Sequence, residues 1–162
     1  MPVQLVAPFR TSSINFDPVE VSLFRPEDIA SVGLHDYVRR NQKRYFRSGA
    51  YNAVETATLI ATEAVLCGAS DVRIANSGGW ISVSADLDWL AEFGEAVFSQ
   101  MVPFPPGGPN GITAEIFPVI FARAVVTSAS GDATVVKGES QGPLVGERAE
   151  WARSVAFEVA PE

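Results

Sequence analysis

The sequence predicts an α+β protein, a two-layer sandwich with helices packed on one face of a mixed, largely antiparallel sheet. Segments with helical spacing dominate the first half, whereas short alternating, β-branched runs gather after residue 70 and again after residue 122. Two junctions between those runs are glycine turns of the kind that close hairpins. The length, 162 residues with 47% apolar, is enough for one substantial core and too little for two, so a single globular unit is expected.

The chain opens irregularly, and residues 19–24 read as a short strand bounded by Asp17–Pro18 and Arg25–Pro26. A helix is predicted over 26–46, because Pro26 suits a first helical turn and the acids Glu27 and Asp28 follow it near the positive end. Gly33 lies inside this segment and weakens it. The second helix, 50–67, sets Val54, Ala57, Ala61, Ala64 and Val65 at helical spacing as its core stripe, and Gly68 stops it. Next, "DVRIA" and "WISVSAD" flank Asn76–Ser77–Gly78–Gly79 as a hairpin. Helices follow at 87–100 and 112–122, the latter kinked or ended early by Pro118. The strands "RAVVTSA" and "ATVVKG" around Ser130–Gly131–Asp132, and finally "RSVAFEV", complete the sheet.

Nineteen acids against twelve bases leave a net charge of −7, which disfavours a broad nucleic-acid surface. The lone cysteine, Cys67, can form no internal disulfide and fits a reducing, cytoplasmic setting. The start lacks the pattern of a signal peptide and no run has the length of a membrane span, so a cytoplasmic protein without a membrane partner is expected. His35 is the only histidine, and without a second histidine or a cysteine cluster no metal or other cofactor is expected. Nothing in the composition bears on oligomeric state.

The segments "ETATLIATEAVLCGASDVRI", "WISVSAD", "GGPNGITAEIFPVIFARAVVTSASGD" and "RSVAFEVAP" resemble, in order and character, segments of the gyrase-B-type ATPase domain. That domain shares its fold with large heat-shock chaperones, histidine kinases and mismatch-repair proteins. The resemblance spans roughly residues 49–161, and it divides the chain into 1–48, an extension and first helix of the same domain, and 49–162, an ATPase-type domain.

The resemblance implies a nucleotide site whose motifs are degraded. Glu55 matches the family's water-orienting glutamate, but Leu59 stands where an asparagine helps to hold magnesium, and a leucine offers no oxygen ligand. Helical spacing puts Glu55, Leu59 and Thr62 on one face. The family's adenine-binding aspartate falls on Asp86 in an ungapped register. Strand alternation, with Ile81, Val83 and Ala85 on the buried side, puts Ala85 there instead. Neither register supplies the glycines that follow in the family, and Trp89 adds bulk. In the phosphate loop Gly107, Gly108 and Gly111 remain, with Asn110 among them, while Thr113 replaces the last glycine.

The expected function is therefore that of a repurposed domain without ATPase activity. It would bind a small, largely apolar organic molecule in the former nucleotide pocket, lined by Leu59, Thr62, Val83, Ala85 and Trp89 and by the loop residues Gly107, Gly108, Asn110 and Gly111. A cyclisation or isomerisation would need little beyond enclosure and one acid or base, for which Asp86, Glu55 and Asp88 are the candidates. A carboxyl in an apolar pocket has its pKa raised, which suits acid catalysis.

Simpler readings stand beside these. Glu55 also fits a solvated or capping helix acid, and Asp86 and Asp88 fit a strand end and a helix start. Arg39, Arg40, Lys43, Arg44 and Arg47 at helical repeats form either a solvated face or a positive strip that receives an acidic protein partner, with Arg40 and Arg44 as its contacts, or a phosphate. The aromatics Trp80, Trp89, Phe93, Phe98, Phe104 and Phe117 suit a core, or else an apolar pocket around the former nucleotide region. The alternative function is a non-enzymatic interaction or regulatory module.

Overall fold

The structure, a computed structural model, describes residues 33–140, 142–144 and 150–159. The strand expected at 19–24 and the helix start at Pro26 lie outside these residues. Alternating apolar residues and two tight turns build the sheet. Strand β1 (Val72–Ser77) turns into β2 (Trp80–Ala85) through Gly78 and Gly79, whose φ angles of 61° and 81° are those of a hairpin turn matched to strand twist. Strand β3 (Val125–Ala129) turns likewise into β4 (Asp132–Lys137) through Ser130 and Gly131, at φ 49° and 92°. Strand β5 (Arg153–Glu158) joins the two hairpins in the order β1-β2-β5-β3-β4. Every pairing among the described strands is antiparallel, so the described sheet shows none of the expected mixing.

Ile81, Val83, Ala85, Val125, Val155 and Phe157 point to one face and are almost fully buried there with residues of the helices. On that side lie α1 (Leu34–Arg40), α2 (Ala53–Leu66) and α3 (Ile116–Phe121). The fold is thus α+β, helices against an antiparallel sheet. Since α1 packs on α3, residues 33–48 belong to the same unit as the sheet. Trp80, Val126, Leu144 and Ala156 form a smaller cluster, joined by the short 3-10 turn Gly142–Leu144. A Cβ on Gly142 would come within 2.8 Å of the Trp80 ring, so this approach requires glycine.

The helices depart from expectation at their ends, each for a local reason. The described part of the first helix stops at Arg40, because Asn41 donates its side-chain amide to the Tyr37 carbonyl (2.7 Å) and a 3-10 turn, Gln42–Arg44, follows. The basic residues therefore do not share one continuous helical face. The buried side of α2 carries Thr56, Ala57, Ile60, Glu63 and Ala64, whereas Val54 and Val65 of the expected stripe are 64% and 56% exposed. The segment 87–100 is no α-helix: Asp88 Oδ1 accepts the Leu90 N–H (3.1 Å), Gly94 has φ 65°, and only a 3-10 turn, Gly94–Phe98, forms.

Thr113 donates its N–H to the Val102 carbonyl (2.9 Å), and Ile112 bridges Pro103, so the fourth expected helix starts only at Ile116. Pro118 is its third residue, where an N–H has no helical acceptor in any case, and the helix runs on past it to Phe121. The open carbonyls at the other end of α3 are satisfied by two cations. Arg39 Nη2 donates to Ile120 O (2.6 Å), while Lys137 Nζ donates to Val119 O (2.8 Å) and Ala122 O (2.7 Å). Among the described residues no helix is long and apolar enough to cross a membrane.

Candidate functional site

The start of α2 organises a cleft. Asn52 caps the helix by accepting the Glu55 N–H (2.9 Å), and Glu55 Oε1 in turn accepts the Arg47 N–H (2.9 Å), which holds the preceding loop against the first turn. Gln42 Oε1 accepts the Tyr51 N–H (2.7 Å), and Asn110 Nδ2 reaches the Tyr45 carbonyl (3.4 Å). These contacts frame an open cleft of about 690 Å³ between residues 43–47, the outward face of α2 and Pro109–Asn110. Glu55, Thr58, Leu59 and Thr62 form its helical wall, with Lys43, Arg44 and Arg47 opposite.

Of the expected site residues, Glu55, Leu59, Thr62 and Asn110 meet at this cleft, together with Arg44. Val83 and Ala85 do not: both are completely buried where α2 packs on β2, and the space between them is filled by core side chains. Asp86 is exposed past the end of β2, where its Oδ1 accepts the Ser70 N–H (3.0 Å). It caps no helix.

Asp88 is gripped by Arg153, which donates Nε–H to Oδ1 (2.8 Å) and Nη2–H to Oδ2 (3.1 Å). Asp88 and Trp89 border a different hollow of about 530 Å³ near the C-terminal end of α2, shared with Cys67 and Phe93. A third hollow of about 760 Å³, bounded by Tyr51, Ile81, Arg123 and Glu158, contains none of the expected residues. Arg40 is exposed on α1, outside the lining of the first cleft.

The glycine loop is built for close packing. Gly107 and Gly111 take φ angles of 84° and 67°, and their N–H groups donate to the Phe104 and Gly108 carbonyls, both at 3.0 Å. A Cβ on Gly108 would lie 3.2 Å from the Phe104 ring and 3.8 Å from Glu63 Cγ. Two amides that a phosphate cradle would present are thus spent inside the loop.

Beneath that loop lies a pair of acids that sequence reasoning missed. Glu63 and Glu115 are 2% and 0% exposed. Glu63 Oε2 accepts the Ala114 N–H (3.1 Å), and Glu115 Oε1 accepts the Trp89 indole N–H (2.8 Å). Burial first, and then the neighbouring Glu115 carboxylate, push the Glu63 carboxyl up to about 10, so it stays protonated at neutral pH. Burial also raises Glu115, against the Trp89 hydrogen bond. Glu115 Oε2 and Thr113 Oγ1 have no hydrogen-bond partner. The signal was present in "ITAEIFPVIF", where Glu115 is the only charge in an apolar run, and in Glu63, which sits one step from Ala64 on the inward face of α2. Burial likewise raises the half-buried Cys67 thiol.

Among the described residues no group of three or more potential ligands could hold a metal ion. No protein-family model matches the chain, and no curated protein or solved structure matches it. The class defined by fold and site is therefore an α+β domain with an open, cation-bordered cleft at the start of its longest described helix.

Proposed function

We propose that this domain binds a small, largely apolar organic molecule in the cleft beside α2, and that it is a repurposed relative of the gyrase-B-type ATPases without ATPase activity. The observation that carries the reading is the composition of the helical wall. Glu55 and Leu59 stand side by side on it, so the resemblance would place an apolar side chain where magnesium needs an oxygen ligand. The internal pairing of the Gly107 and Gly111 amides supports the same conclusion. An enzymatic form of this function would be a cyclisation or isomerisation with Glu55 as the acid or base, because it is the one carboxylate among the described residues lining the cleft.

The test is titration of the protein with magnesium–ATP and with pyrenebutanol, an uncharged apolar probe. Pyrenebutanol should saturate with one site, and Thr58→Trp, which fills the cleft from an exposed position, should abolish its binding. Magnesium–ATP should give no saturable heat. Pyrenebutanol binding that survives Thr58→Trp, or ATP turnover lost in Glu55→Gln, sinks the proposal.

A second reading keeps one specific support: Arg40, Lys43, Arg44 and Arg47 are all exposed, as a docking surface for an acidic protein would require. Charge reversal at Arg40, which is remote from the cleft lining, separates the two readings. It should leave probe binding unchanged if the cleft is the site.

A further inference from the structure

The charge of the cleft is opposite to that of the molecule. The chain carries a net −7, yet among the described residues Lys43, Arg44 and Arg47 border the cleft against one carboxylate, that of Glu55, an excess of two positive charges (three minus one). Glu55 Oε1 is occupied by the Arg47 backbone N–H rather than by a cationic side chain. Arg44 is held in position from behind, since its Nη1–H donates to the Tyr37 hydroxyl (2.8 Å). By contrast Arg39, from the same basic cluster, is consumed structurally by the Ile120 carbonyl and lies 5.6 Å from the centre of the Phe121 ring.

Like charges gathered at a concave surface raise the local positive potential and favour an anion there. The lining of the same space also includes apolar side chains, those of Phe46, Val54, Leu59 and Pro109. From this geometry we infer that the occupant is an organic carboxylate. Its acid group lies between Lys43, Arg44 and Arg47, and its hydrocarbon skeleton rests on Leu59 and Val54. A carboxylate suits the site better than a polyphosphate for two reasons. The local excess of charge is small, and the Gly107 and Gly111 amides that would cradle phosphate oxygens are already paired. This inference rests on the cleft being the binding site and adds the chemical class of its ligand.

Pyrenebutyrate and pyrenebutanol share a skeleton and differ in the acid group, so paired titrations isolate the anionic contact. The carboxylate should bind about tenfold more tightly than the alcohol, with a preference that shrinks as salt rises. Lys43→Glu combined with Arg44→Glu should erase the preference, read as the ratio of the two probe affinities within the same variant. If acid and alcohol bind equally and both are lost in Thr58→Trp, the cleft stands as the site and the carboxylate assignment falls. If neither probe responds to Thr58→Trp, the cleft itself is wrong and the assignment falls with it. Pyrenylmethyl phosphate binding about tenfold more tightly than pyrenebutyrate also overturns the choice of carboxylate.

Discussion

At neutral pH the Glu63 carboxyl keeps its proton because burial disfavours its charged form and the Glu115 carboxyl group beside it adds to the shift. The unfolded chain has no such constraint. Below the ordinary value near 4.5, Glu63 is protonated in both states and exerts no pH effect; between there and about 10 only the unfolded state ionises, so folding stability falls as pH rises. The slope from this group approaches about 1.4 kcal/mol per pH unit at most. Glu63→Gln keeps a neutral side chain that accepts the Ala114 N–H and donates toward Glu115. The variant should match the parent near pH 5, exceed it in stability near pH 8.5, and show a flatter dependence in urea unfolding. An unchanged slope would mean that Glu63 is ionised in the folded protein.

At the scale of elements, α3 shows how a short helix persists. With six residues it falls below the length at which helices stand alone, and its stability comes from packing and from the two cations at its C-terminal end. Arg39→Met and Lys137→Met should each cost roughly 1–2 kcal/mol, because the first leaves one part-buried carbonyl and the second leaves two without their donor. Thermal and urea unfolding of the two variants measures this. Changes near zero in both would show that solvent serves those carbonyls as well. Asn52, the cap of α2, has the same logic at the opposite helix end: Asn52→Ala should lose about 1 kcal/mol and loosen the loop that Glu55 holds.

For the whole molecule, the link between the sheet and the chain that follows β2 runs through Arg153. It projects from β5, grips Asp88 with two hydrogen bonds and donates to Thr127 on β3 (3.1 Å). Asp88→Asn leaves this 8%-exposed guanidinium with only the exposed Glu95 carboxylate at 4.0 Å as a counter-charge and should destabilise the protein by about 2 kcal/mol. Asp86→Asn, two residues away but exposed, should change stability by less than about 0.5 kcal/mol. Equal effects of the two substitutions in denaturant unfolding would remove the anchoring role of Arg153.

The two hairpins, the strand at 153–158, the main helix after Asn52 and the α+β class were all legible in the sequence, because strand alternation, turn glycines and helix stops act over a few residues. So was the common face of Glu55, Leu59 and Thr62, which follows from helical spacing alone. Strand order, the true buried side of α2 and the shortening of the later helices were decided by tertiary contacts, such as Thr113 with Val102 and Asp88 with Arg153. The same holds for the acids. Motif matching singles out Glu55, Asp86 and Asp88 and passes over Glu63 and Glu115, and only the fold distributes the five among a cleft, a buried pair, an ion pair and open solvent. The physical reason is that a carboxyl's chemistry is set by its desolvation and its neighbours, and Glu63 meets Glu115 across 52 positions of chain that local pattern cannot bridge.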